Sequence, residues 1–264
     1  ILWLDYAIGH RYRGSAPTAF RRLFKPAEGL GWFQVAISFI IATYYAVIIA
    51  WSLAYMWFSV DLAWGDDPAG FLIGEYLQVA DDVTPTLDFV PGVLLPLVLV
   101  WVIALAIVAF GVKRGLERAN LIMIPLLVAM FGSLVVRAVT LEGASEGLNE
   151  FFTPQWDRLG DASVWIAAYS QIFFSLSIAF GIMITYSSYL RRRANLTTTG
   201  LTVGFANSSF ELLAGIGVFA VLGFMSVQSG VPVAESGGTT GVGLAFIAFP
   251  QILSTMPGGP VFGV

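Results

Sequence analysis

Five long stretches of the chain carry almost no charge. Residues 29–60, 89–112, 119–136 and 162–190 contain no Asp, Glu, Lys or Arg, and 194–234 contains only Glu211. Each run is near or above the roughly 20 residues a helix needs to cross the hydrocarbon core. Helices are expected because backbone polar groups in lipid must be satisfied within their own segment. A membrane β-barrel would need strands of about ten residues with alternating polarity, and these runs do not alternate. The pattern predicts spans near 30–59, 90–111, 119–140, 163–190 and 198–227. The tail of another helix occupies about 1–8, and a basic loop follows to about 28. Residues 238–256 are less apolar and bounded by Gly and Pro, which predicts an external helical hairpin. The chain reads as an all-α integral membrane protein with a single domain over 1–264.

Composition agrees. The chain is 57 % hydrophobic and 11 % charged, against about 25 % charged residues in a soluble domain. It has no cysteine, which removes disulfides and thiolate metal sites. Ile1-Leu2-Trp3-Leu4 reads as the end of a helix under way, and 258–264 stops as another apolar run begins, so the domain is expected to be incomplete at both ends. Charge then orients the spans. Eleven of the 13 Lys and Arg fall on alternate connections: Arg11, Arg13, Arg21, Arg22 and Lys25; Lys113, Arg114 and Arg118; Arg191, Arg192 and Arg193. The positive-inside rule places these connections in the cytoplasm. The opposite connections are acidic, with Asp61, Asp66, Asp67, Glu75, Asp81, Asp82 and Asp88 in one and Glu142, Glu146, Glu150, Asp157 and Asp161 in the next.

Candidate chemistry lies inside the spans. A continuous helix over 162–190 would rise about 43 Å, beyond the roughly 30 Å core. Its middle holds Ser175, Ser177 and Gly181. One reading, favoured by periodicity alone, is a tilted helix whose serines bond back to the preceding turn. The other is a helix interrupted at 175–181, whose freed carbonyls could bind a cation and whose restarted N-terminus could face an anion. The next span carries Glu211, with Asn207 four residues before it on the same face and Ser208 close by. An intramembrane carboxylate marks a functional site by default, and an Asn amide oxygen is a hard ligand suited to an alkali cation. An interhelical hydrogen bond that only ties the bundle is the plainer alternative. Tyr44 and Tyr45 fall in the middle of the first full span, where a hydroxyl needs a ligand or a carbonyl as partner. The single histidine, His10, lies in the basic connection, so metal triads and Ser–His–Asp arrangements have no members. No GK[ST] loop offers a phosphate site. The chain does not read as an enzyme or an ATP-driven pump.

The run 164–181, with Trp165, Gln171, Phe173, Phe174, Ser175, Ser177, Phe180 and Gly181, closely resembles the sixth membrane helix of the neurotransmitter:sodium symporters. The likeness is strongest to bacterial amino-acid transporters of the leucine transporter type and continues through Ile184, Thr185, Tyr186 and Tyr189. Residues 113–118 and 136–141 fit the fourth-to-fifth helix region, Ala42-Thr43-Tyr44-Tyr45 with Trp51 the third helix, and 243–250 the external hairpin before helix eight. The resemblance implies the inverted-repeat leucine-transporter fold, here from the end of helix 2 through helix 7 and that hairpin, with helix 6 discontinuous.

It also implies roles. The Tyr45 hydroxyl would bond a substrate carboxylate, Ile41 would line the pocket, and Phe174 would close it from outside. Ser177 and Phe180 would frame the substrate amine and side chain. Ser175 and Asn207 would be sodium ligands. Glu211, with Gln171 nearby, would stand where chloride-dependent members bind chloride, and Tyr189 would help form the internal gate. Two positions depart from the bacterial pattern: Ser175 replaces a common Thr, and Ala179 a common Gly. The implied function is sodium-coupled, chloride-independent symport of an amino acid or small zwitterion by alternating access. Sodium is the co-transported ion, with no organic cofactor and no nucleic-acid partner. The expected setting is multi-pass in a bacterial or archaeal cytoplasmic membrane, and a homodimer is compatible with it. A non-transporting sensor or auxiliary subunit on the same fold is the alternative.

Overall fold

The computed structural model describes residues 1–80, 88–111, 115–233, 241, 243–255 and 259–263. Its helices are α1 (Leu2–Tyr12), α2 (Ala16–Leu23), α3 (Glu28–Phe58), α4 (Pro68–Gly70), α5 (Pro91–Ala109), α6 (Glu117–Val139), α7 (Ala144–Phe152), α8 (Ala162–Ser175), α9 (Ile182–Ser188), α10 (Leu196–Ser229), α11 (Phe249–Thr255) and α12 (Gly259–Gly263); among the described residues there is no strand. Four helical stretches of the described residues are long and apolar enough to cross a membrane: Lys25–Phe58, Pro91–Ala109, Glu117–Val139 and Leu196–Gln228. The fifth expected span is divided between α8 and α9, of 14 and 7 residues, neither long enough to cross alone. Helix α5 starts on Pro91, whose fixed φ suits a first helical position. None of its residues is buried, and Ile122 on α6 is 70 % exposed. Apolar surface on this scale suits hydrocarbon, not water.

The stretch before α3, expected as a basic loop, is largely helical. Helix α1 runs on to Tyr12, and α2 follows, with Pro17 in its first turn and Arg21 and Arg22 in its last. The basic residues complement the helix dipole there, and Ala16, Pro17 and Ala19 are buried beneath. So short an amphipathic helix leaves no mark on a hydropathy profile read for spans. Lys113, Arg114, Asp81, Asp82 and residues 238–240, 242 and 256 of the expected hairpin lie outside the described residues. Of that hairpin, Leu244–Ala248 forms a π-helical turn leading into α11.

Two compact units are distinguished, one of Ile1–Thr43 and Thr153–Leu212, the other of Tyr44–Phe152 and Leu213–Val264. The first packs Ile8, Ala16, Ala19 and Ile184 into a core flanked by Tyr12 and Phe20. Helices α1 and α9 approach so closely that a Cβ on Gly9 would strike the Ile184 carbonyl and the Ser187 hydroxyl. At the end of α9, the Arg13 guanidinium donates to the carbonyls of Ser188, at 2.8 Å, and Leu190. His10 Nε2 lies 2.9 Å from the Arg191 carbonyl. Basic side chains thus satisfy carbonyls that the helix end leaves open.

The second unit is built on aromatic rings. Tyr55 stacks on Trp64 with centroids 5.7 Å apart and meets Phe246 edge-on at 5.0 Å. Trp64 Nε1 donates to the Pro250 carbonyl and to Ser254 Oγ, both at 3.0 Å. Gly143 and Gly147 lie so close to Gly223 of α10 that none of the three has room for a Cβ. Small residues four apart allow this close approach of helix backbones.

Candidate functional site

The interruption is real, and the continuous tilted helix is overturned. Helix α8 ends at Ser175 and α9 begins at Ile182. Within the break, Ser177, Ala179 and Gly181 have φ of 50°, 64° and 74°, so every second residue is left-handed and helical hydrogen bonding cannot continue. Gly181 is required: a Cβ there would lie 2.9 Å from Ala16 Cβ and 3.3 Å from Gln34 Oε1. Ser177 and Ala179 bear a Cβ in this region, at roughly 1–2 kcal/mol each. The surroundings offset that cost. The Ser177 and Ile178 N–H groups donate to the Phe174 and Phe173 carbonyls at 3.1 and 3.0 Å. The Ala179 N–H donates to Asp5 Oδ2 at 3.2 Å, and Ser38 Oγ donates to the Phe180 carbonyl at 2.7 Å.

Ala179→Gly should leave stability unchanged or slightly raised, because relief of strain is set against the larger chain entropy of glycine. Ala179→Val should cost more than about 2 kcal/mol, since a β-branched residue is a steric outlier at positive φ. Thermal unfolding of the purified full-length protein measures both. A valine variant as stable as the parent would contradict the left-handed assignment.

Beside the break, α8 and α10 face each other through two polar rungs. Gln171 and Ser175 are four residues apart on α8, as are Asn207 and Glu211 on α10, so each pair shares a helix face. Gln171 Nε2 donates to Glu211 Oε1 at 3.1 Å, and Asn207 Nδ2 donates to Ser175 Oγ. The order of the rungs makes the helices antiparallel here. Ser175 Oγ and Asn207 Oδ1 are hard oxygen donors of the kind an alkali cation takes. A half-turn of the Asn207 amide about χ2 exchanges its nitrogen and oxygen, an assignment that rests on partners alone. Among the described residues no group of three or more His, Cys, Asp or Glu could hold a metal ion.

The remaining expected residues separate by place. Phe174 meets Phe180 edge-on, with centroids 6.3 Å apart. Ile41 lies on α3 less than one turn beyond Ser38, the residue that reaches Phe180. Tyr45 belongs to the second unit, where it is 46 % exposed and its ring lies 6.0 Å from that of Tyr44. Tyr189 follows the end of α9, exposed, with its N–H on the Tyr186 carbonyl. Three further residues touch the break and were missed by sequence reasoning: Asp5, buried on α1, and Gln34 and Ser38 on α3. Asp5 had a readable signal, an acid between Leu4 and Tyr6 in an apolar stretch, the criterion that singled out Glu211.

The model of the Sodium:neurotransmitter symporter family matches residues 1–71 and 65–264. An uncharacterized sodium-dependent transporter of Methanocaldococcus jannaschii is 42 % identical over 265 residues, 100 % of this chain and 54 % of that protein. The sodium- and chloride-dependent GABA transporter 2 of Homo sapiens is 30 % identical over 294 residues, 99 % of this chain and 48 % of its own length. The crystal structure of MhsT in complex with L-phenylalanine matches with a TM-score of 0.80 and 31 % identity, over 99 % of this chain and 56 % of that one. The chain spans about half the length of the curated relatives it matches.

Proposed function

The chain belongs to the Sodium:neurotransmitter symporter family, and we propose that the protein is a sodium-coupled symporter of an α-amino acid or related small zwitterion. The observation that carries this is the broken helix with Ser175 at its edge, hydrogen-bonded to Asn207 of α10. Sodium is bound between these oxygens, next to the carboxylate of the substrate, so that neither is held well alone. Ile41, Ser177 and Phe180 line the space for the amine and side chain of the substrate. Phe174 closes the site from outside, and Tyr189 closes it from the cytoplasm. Glu211 supplies a fixed negative charge in place of chloride, which makes transport chloride-independent. MhsT bound to L-phenylalanine supports an amino acid as substrate. The spans lie in a cytoplasmic membrane with the basic connections inside, as the positive-inside rule requires.

The test is uptake. Full-length protein in proteoliposomes should accumulate labelled amino acids when an inward sodium gradient is imposed, and should lose this when choline replaces sodium. Uptake indifferent to that exchange would refute sodium coupling, and sodium-independent binding without uptake would instead fit a sensor.

A further inference from the structure

Polar side chains on a membrane helix face protein or water, because lipid gives them no partner. Gln34 and Ser38 are four residues apart on α3 and so lie on one face, and Ile41 continues it at the next turn. That face meets the inner end of the break. Ser38 Oγ donates to the Phe180 carbonyl at 2.7 Å. Gln34 is 8 % exposed, and its Oε1 is buried without a hydrogen-bond partner. A Cβ on Gly181 would come within 3.3 Å of that oxygen. The backbone at 180–181 therefore passes directly over the Gln34–Ser38 face and is anchored to it at one atom.

We propose that Ser38 is a specificity-determining positioning residue: by holding the Phe180 carbonyl it fixes the backbone that aims the Phe180 ring into the substrate space. The inference rests on the symport reading. Phe180 sits in a break with left-handed residues on both sides, Ala179 and Gly181, so no helical hydrogen bonding sets its dihedrals. Its neighbourhood is held by the Ala179 N–H on Asp5, the Ser38 hydroxyl on its own carbonyl and the Phe174 ring edge-on to its ring. Removing the hydroxyl frees the carbonyl, and the ring shifts against Phe174. The volume available to a substrate side chain changes with it. Sodium, placed at Ser175 and Asn207 on the other side of the break, loses no ligand.

The experiment compares full-length parent, Ser38→Ala and Ser38→Thr in proteoliposomes supplied with glycine, alanine, leucine and phenylalanine. Ser38→Ala should change the ratio of kcat/KM between phenylalanine and alanine by about tenfold, the scale on which pocket shape discriminates side chains. Sodium half-saturation should stay within about twofold, and Ser38→Thr, which keeps the hydroxyl, should retain the parental ratio. A Ser38→Ala protein that loses the same fraction of activity on all four substrates shows a merely structural role and overturns the proposal. If that variant does not fold, an altered ratio in Ser38→Thr despite its hydroxyl overturns it as well. Parent protein without sodium-dependent uptake of any amino acid would overturn the symport reading and this inference together.

Discussion

Asn207→Leu is expected to abolish sodium-dependent uptake at ordinary sodium concentrations, and Asn207→Ala to raise the sodium half-saturation about 10- to 150-fold. The range follows from one lost interaction with a charged group, about 1.5–3 kcal/mol, at 1.4 kcal/mol per tenfold. Two effects act together. The proposed sodium would lose an oxygen ligand, and Ser175 loses the side chain that now holds its hydroxyl. Leucine adds an apolar group where the cation would sit, so its effect exceeds that of alanine. Asn207→Asp keeps an oxygen at the same reach and should retain sodium binding, with a changed pH dependence. The measurement is uptake against sodium concentration at saturating substrate, in full-length protein. A variant with unchanged half-saturation and reduced maximal rate would show that Asn207 ties α8 to α10 without binding the ion.

The same spacing explains why this part of the site was legible in the sequence. Residues four apart on a helix share a face, so Asn207 with Glu211 could be read as one surface, and Gln171 with Ser175 as another. That the two surfaces meet rung by rung could not be read, because it depends on how α8 and α10 pack. The spans themselves were legible for a simpler reason: backbone satisfaction in lipid leaves helices as the form for long uncharged runs. The break was ambiguous. Two serines and a glycine suit either a tilted or an interrupted helix, and the deciding facts are the partners of its backbone, Asp5 from α1 and Ser38 from α3. Both lie more than a hundred residues from the break in sequence. Gln34 and Ser38 give no signal in the sequence because two polar residues in an apolar run leave its mean hydropathy almost unchanged. Helix α2 and the Arg13 contacts at the end of α9 were hidden likewise, since a basic stretch between spans looks the same whether it is a solvated loop or a packed helix.

Glu211→Ser is expected to reduce uptake in chloride-free buffer by about tenfold or more, with added chloride restoring part of it. Glu211 accepts a hydrogen bond from Gln171, a neutral donor, and no ion pair of Glu211 occurs among the described residues. A carboxylate in a membrane span without a basic partner is costly and needs a compensating positive charge. The proposed sodium, one turn away along α10 at Asn207, supplies it. Conversely, the proposed sodium finds only neutral protein oxygens in Ser175 and Asn207, and the nearby Glu211 carboxylate favours its entry alongside that of the substrate. Serine keeps a small polar group and removes the charge, leaving space beside the Gln171 amide. A chloride ion in that space would restore the charge and accept the same Gln171 N–H. Glu211→Gln, which keeps the bulk and fills the space, should lose uptake without chloride rescue. Sodium-driven uptake in matched chloride and gluconate buffers separates the outcomes. A serine variant that transports equally well in both buffers would show that Glu211 contributes no essential charge. Loss in both buffers, equal to that of the glutamine variant, would reduce Glu211 to a structural partner of Gln171.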